Sequence, residues 1–178
     1  DGSGIVFDSR AKPDNTENIC NPEFDIRGLI ENNTIMNMHS IDTDYATFYF
    51  RGGHTNSIIK GNRIVSNGGL STVLIRDGVN YNRFENNYIE NDSAARAAFF
   101  FGSGNDPPNR PKGNLIINNT FMGKNTGALG TQGIDKDNVF ENNVFVSGKA
   151  GIYGSNYIGG TNTILRHNTF YSKDPSRA

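Results

Sequence analysis

Two arginines, Arg51 and Arg76, lie 25 residues apart at the ends of like segments, Phe48-Tyr49-Phe50-Arg51 and Val73-Leu74-Ile75-Arg76. If those segments stack as neighbouring strands, the guanidinium groups sit about 5 Å apart. They could then grip a carboxylate or sulfate between them. The same pair suits an elimination. An arginine that neutralises a uronate carboxylate makes the adjacent carbon acid easier to deprotonate. His54 and Tyr49 are the groups placed to move a proton or to stack, and Asp77 and Gln132 lie in the same rows. Tyr49, Phe100 and Tyr153, with Leu74 and Gly130 between them, would form an outward row on which sugar rings can stack. Tyr45 and Tyr81 lie nearby. A plainer reading stands beside this one. Outward aromatics can lie under long connections, Arg51 and Arg76 can pair with Asp77 or Asp44, and His54 can be a turn residue in a glycine-rich corner.

Other chemistries find less support. One cysteine, Cys20, and three scattered histidines, His39, His54 and His167, do not make a Cys/His metal site. No cofactor is expected. Calcium could use the pairs Asp42/Asp44 and Asp135/Asp137, but they lack the dense carboxylate set of a dedicated site. No glycine-rich phosphate loop follows a strand and opens a helix. Asp8 and Asp77 would stand roughly 10 Å apart, two coils from each other, a weak candidate for a hydrolase pair. The net charge of −1 gives no ground for nucleic-acid binding, and no apolar run reaches membrane-spanning length.

The elements that must position these residues come from a repeat. An apolar residue, any residue, an Asn, Gly or His, an Asn, any residue, then Ile or Phe recurs six times. The anchoring asparagines are Asn33, Asn62, Asn87, Asn119, Asn143 and Asn168, spaced by 29, 25, 32, 24 and 25 residues. A period in that range marks a solenoid of stacked coils. The flanking columns Ile30, Ile59, Phe84, Ile116, Phe140, Leu165 and Ile35, Ile64, Ile89, Phe121, Phe145, Phe170 are wholly apolar and face a core. The residue before each anchor is of a type that tolerates left-handed backbone angles. Each copy therefore predicts strand, two-residue corner, strand, with the asparagines stacked into a ladder.

A third strand per coil is predicted upstream, at Gly4–Phe7, Thr47–Phe50, Thr72–Ile75, Ala98–Phe101, Ala128–Thr131 and Gly151–Tyr153. Phe48, Val73 and Leu129 then point inward, as do Phe50, Ile75 and Thr131. Loop insertions are expected at 11–25, 36–46, 90–96 and 103–112. Glu31, Lys60, Glu85, Glu141 and Arg166 read as a solvated charge ladder. The fold class is thus all-β: a right-handed parallel β-helix, six coils of three short strands, forming a single domain over 1–178. A leucine-rich repeat would need an apolar residue five places before each anchor. Gly28, Ser57, Asn82, Asn114, Asn138 and Thr163 stand there instead.

Neither end shows an amphipathic capping helix, and the chain opens on Asp1 without a signal peptide. This predicts a segment of a longer β-helix, or coils that associate end to end with a second copy.

The corner motif and its strands resemble the parallel β-helix repeat of the pectin-lyase-like superfamily. The stretch Gly69-Leu70-Ser71-Thr72-Val73-Leu74-Ile75-Arg76-Asp77-Gly78 resembles a strand of the chondroitinase-B and alginate-lyase family. The likeness implies that Arg76 matches that family's catalytic arginine and that an acidic polysaccharide is the partner. It also implies an extracellular or periplasmic setting. Asp77 stands where the family has His, and Arg51-Gly52-Gly53 stands where it presents a lysine. Two functions follow as expectations: a polysaccharide-interacting protein, lyase or degenerate lyase, or a non-catalytic β-helix segment of a surface adhesin, stalk or fibre.

Overall fold

The protein is seen here as a computed structural model. It describes residues 5–8, 27–38, 46–52, 55–69, 71–76, 78–92, 96–102, 111–132, 137–148, 152–153 and 162–174. The first coil holds β1 (Ile5–Asp8), β2 (Leu29–Glu31) and β3 (Thr34–Met38). The second holds β4 (Ala46–Arg51), β5 (Ile58–Lys60) and β6 (Arg63–Ser66). The third holds β7 (Ser71–Ile75), β8 (Arg83–Glu85) and β9 (Tyr88–Asn91). The fourth holds β10 (Ala97–Gly102), β11 (Leu115–Ile117) and β12 (Thr120–Gly123). Then come β13 (Gly127–Gln132), β14 (Val139–Glu141) and β15 (Val144–Ser147), and finally β16 (Ile152–Tyr153), β17 (Ile164–Arg166) and β18 (Thr169–Ser172). Equivalent strands pair in parallel into three six-stranded sheets, with orders β1-β4-β7-β10-β13-β16, β2-β5-β8-β11-β14-β17 and β3-β6-β9-β12-β15-β18. We call these sheets 1, 2 and 3. The chain is an all-β parallel β-helix, with no helix among the described residues.

The corner between sheets 2 and 3 forms as the residue types dictate. Asn32, Gly61, Asn86, Asn118, Asn142 and His167 all take positive φ, between 53° and 64°. This turn aims the following asparagine inward. Asn62 donates from both its backbone N–H and Nδ2 to Asn87 Oδ1, each at 3.0 Å. Asn87 Nδ2 also reaches back to the Ile59 carbonyl at 2.8 Å. The rungs Asn62, Asn87, Asn119 and Asn143 are buried, so these bonds replace water that the amides have lost.

A second ladder runs along the corner between sheets 1 and 2. Ser57 N–H donates to Asn82 Oδ1 at 2.9 Å, Asn82 N–H to Asn114 Oδ1 at 3.0 Å, and Asn114 N–H to Asn138 Oδ1 at 3.0 Å. The preceding residues Asn56, Tyr81, Gly113, Asp137 and Asn162 again have positive φ. Ser57, Asn82, Asn114 and Asn138 are the residues five places before their anchors, whose polarity excludes a leucine-rich repeat. The column is in fact a repeat of the same corner design.

Inside the coils lies a core of stacked aromatics. Phe48, Phe50, Phe84, Phe99, Phe101, Phe121, Phe140 and Phe145 are essentially inaccessible. Phe121, Phe145 and Phe170 form a column with ring centroids 5.0 and 4.9 Å apart and planes tilted by 13° and 9°. That spacing is the rise of one coil. Outside, the charge ladder is present where Lys60 meets Glu31 at 2.9 Å and Arg166 meets Glu141 at 2.8 Å.

Six equivalent coils were expected, but only four turns, 46–148, are enclosed from both sides. The terminal coils have one neighbour each, so their inward columns open: Ile30 and Ile35 are half-buried, and Leu165 and Phe170 are 36% and 44% exposed. The boundaries of three insertions also move. β3 continues to Met38 and β4 begins at Ala46, narrowing 36–46. Glu90 and Asn91 belong to β9, because they pair in register with Val65 and Ser66, so 90–96 starts too early. At the end of 103–112, Pro111 is built into the ladder corner, its carbonyl accepting from Asn138 Nδ2 at 3.0 Å. The insertion 11–25 lies outside the described residues.

Candidate functional site

Sheet 1 carries most of the candidate residues, and its register puts them in the rows their spacing implies. Tyr49 pairs with Leu74, Leu74 with Phe100, Phe100 with Gly130, and Gly130 with Tyr153. The row is not an open platform, however. Tyr49 and Phe100 are each 4% exposed, and Leu74 is fully buried, clustered with Ala46. The Arg96 guanidinium lies 4.9 Å over the Phe100 ring. On the other side a Cβ at Gly130 would come within 2.6 Å of that ring. Tyr49 and Phe100 therefore pack as a second, outer core. They offer no face to a sugar ring, and Tyr49 is not placed to exchange a proton with substrate.

The next row is more open. Arg76 N–H donates to the Phe50 carbonyl at 3.0 Å, which continues the pairing of Phe50 with Ile75. Arg76 thus stands one coil on from Arg51, and both are half-buried. Asp8 is the register partner of Arg51 on the far side, and Gly102 and Gln132 are paired further along. The chain then turns, with Val79 N–H donating to the Arg76 carbonyl at 3.3 Å. His54 and Asp77 lie outside the described residues. Tyr153 and Gln132 hold their places by backbone register.

Beyond that turn the corner presents Tyr81, 54% exposed, at φ 56°. Its backbone is pinned. Tyr81 N–H donates to the Lys112 carbonyl at 2.9 Å, and Lys112 N–H donates to Asn80 Oδ1 at 3.0 Å. The Cδ1–Cε1 side of its ring leans on Gly113, where an added Cβ would lie 2.4 to 2.5 Å from the ring.

A third cluster, on sheet 3, was not foreseen. The Glu90 carboxylate is 7% exposed and accepts from Lys124 Nζ at 2.5 Å and from the Tyr88 hydroxyl. Lys124 also meets Asp92 at 3.2 Å, and the Arg63 guanidinium lies 4.6 Å over the Tyr88 ring. Burial pushes the Glu90 carboxyl up, but hydrogen bonds from Lys124 and Tyr88, with the charges of Lys124 and Arg63, outweigh it and leave the pKa lowered. Burial and the hydrogen bond to Glu90 raise the Tyr88 phenol. The carboxylate stays charged and the phenol stays protonated near neutrality. The cluster is therefore a fixed ion network and not a proton relay. The only sequence signal for it was the alternation in β9, obscured by assigning Glu90 to a loop.

Among the described residues no group of three or more His, Cys, Asp or Glu is placed to hold a metal ion. Among the described residues no helix is long and apolar enough to cross a membrane. No family model matches the chain, and neither a curated protein nor a solved structure matches it.

Proposed function

We propose that this β-helix binds an acidic, uronate-bearing polysaccharide, with Arg76 and Arg51 gripping its carboxylates. The observation that carries this is the hydrogen bond from Arg76 N–H to Phe50 O at 3.0 Å, which sets the two arginines in one row on successive coils. At about 4.8 Å between strands, both guanidinium groups can reach one carboxylate. The resemblance of Gly69–Gly78 to the chondroitinase-B and alginate-lyase strand supports the same ligand class. If elimination also occurs, Arg76 neutralises the carboxylate and His54 is the candidate base. An arginine cannot take that role at neutral pH. Such glycans imply an extracellular or periplasmic setting.

The test is a calorimetric titration with alginate, pectate and chondroitin, run alongside the ultraviolet absorbance of unsaturated products. Binding to one of the three, weakened about tenfold or more in Arg76→Ala and Arg51→Ala, is the expected result. No binding to any of them, or unchanged binding in both variants, overturns the proposal. Unsaturated product separates a lyase from a binding module.

A second reading, a structural segment that stacks coil on coil, is supported by the ends of the stack. Phe170 exposes 44% of its surface beyond Phe145. Asn33, the first rung, donates to Asn62, and among the described residues its own Oδ1 receives no bond. A further coil, from this polypeptide or from another copy, would cover both. Light scattering over a wide concentration range tests the second-copy version, and a monomer throughout removes it.

A further inference from the structure

We infer that Tyr81 is a sugar-stacking subsite on the corner between sheets 1 and 2, a contact that takes the C–H face of a pyranose ring. Three observations converge on it.

The first is conformational. The corner position requires positive φ, and its other occupants are Asn56, Gly113, Asp137 and Asn162, the small or polar types that adopt it readily. Tyr81 takes φ 56° in spite of its bulk. An aromatic held in a left-handed conformation is strained, and such strain persists where the surroundings over-determine it, most often at ligand sites.

The second is accessibility. Tyr81 is 54% exposed, whereas Tyr49 and Phe100 are each 4% exposed. Of these aromatics it is the one that solvent, and hence a ligand, can reach.

The third is rigidity. Its N–H is tied to the Lys112 carbonyl at 2.9 Å, and one side of the ring rests on Gly113, where no side chain competes for the space. An aromatic fixed in advance loses little entropy on binding. Asn56, one coil away on the same corner and exposed, adds an amide for sugar hydroxyls. An aromatic face beside a small polar group is the combination that recognises a sugar's apolar C–H surface together with its hydroxyls.

This inference deepens the acidic-glycan reading by adding a subsite along the chain from Arg76. It does not depend on the charge of the sugar. The informative variant is Tyr81→Asn, because asparagine suits positive φ and keeps the corner. Oligo-uronates and neutral oligosaccharides are titrated into wild type, Tyr81→Asn and Arg76→Ala, and the thermal midpoint of each protein is measured. The expected result is binding about tenfold weaker in Tyr81→Asn, with a midpoint equal to or above that of wild type. Wild-type binding that is unchanged in Tyr81→Asn overturns the subsite and leaves the arginine pair standing. Binding of neutral sugars that needs Tyr81 but not Arg76, with no uronate binding, upholds the subsite and overturns the acidic-glycan reading. No binding of either sugar class overturns both.

Discussion

Asn87 gives two hydrogen bonds to one atom: its backbone N–H and its Nδ2 both donate to Asn119 Oδ1, each at 2.9 Å. Asn119 repeats the pattern toward Asn143, at 2.9 and 3.1 Å. Truncating Asn119 therefore strands the Asn87 donors and takes the side-chain donor from the Phe84 carbonyl, while Asn143 Oδ1 keeps the backbone N–H of residue 119. Each unsatisfied buried group costs roughly 1–3 kcal/mol. Asn119→Ala should lower stability by about 2–4 kcal/mol in urea denaturation. Asn114→Ala, in the second ladder, should cost a similar amount. Asn168→Ala, at the half-buried last rung, should cost clearly less.

The aromatic column supplies a second contrast. Phe121 is fully buried between Phe99, at 4.7 Å, and Phe145, at 5.0 Å, while Phe170, 44% exposed, stacks among the described residues on Phe145 alone. Phe121→Ala should cost about 3–5 kcal/mol. Phe170→Ala should cost well under half of that. Equal losses in thermal or chemical unfolding would mean that the last coil is covered in solution.

Gly130 is glycine because the Phe100 ring occupies the space a Cβ would need, 2.6 Å away, with Ala97 Cβ at 3.1 Å. The ring is buried and has no open space to retreat into. Gly130→Ala should destabilise by about 1–3 kcal/mol. The double variant Gly130→Ala/Phe100→Leu should recover part of the loss. Strict additivity of the two substitutions would refute the contact.

Glu90 should dominate one part of the acid response. Its folded pKa lies below the ordinary 4.5, since its bonds from Lys124 and Tyr88 outweigh burial. A carboxyl depressed in this way contributes stability that is present above the unfolded value and lost as pH falls through the folded one. The loss therefore belongs below pH 4.5. The stability gap between wild type and Glu90→Gln should narrow there in isothermal denaturation. Lys124→Met removes the largest influence that holds the Glu90 carboxyl down, so its folded pKa rises toward the unfolded value and its share of the acid loss should shrink.

The first ladder could be read from the sequence because both apolar columns and the turn residue recur beside each anchor. The second ladder was equally present in Ser57, Asn82, Asn114 and Asn138, but its flanking columns mix Ile58 and Leu115 with Arg83. Outward residues are under no apolar constraint, so the period there is harder to see. The rows of sheet 1 were also legible, since register follows from coil length. The burial of Tyr49 and Phe100 was not, because alternation says which way a side chain points and not what lies over it. Glu90 was missed for a related reason: a charged residue at a strand end looks like the start of a loop until its partner Lys124, from the next coil, is seen.

Each rung in both asparagine ladders gives its N–H to the oxygen of the following coil. The stack consequently has a sense, one end rich in acceptors and the other in donors. A two-fold axis through either end would set like groups against like. Copies joined through the ladders would add head to tail, and that mode of addition has no built-in point of closure.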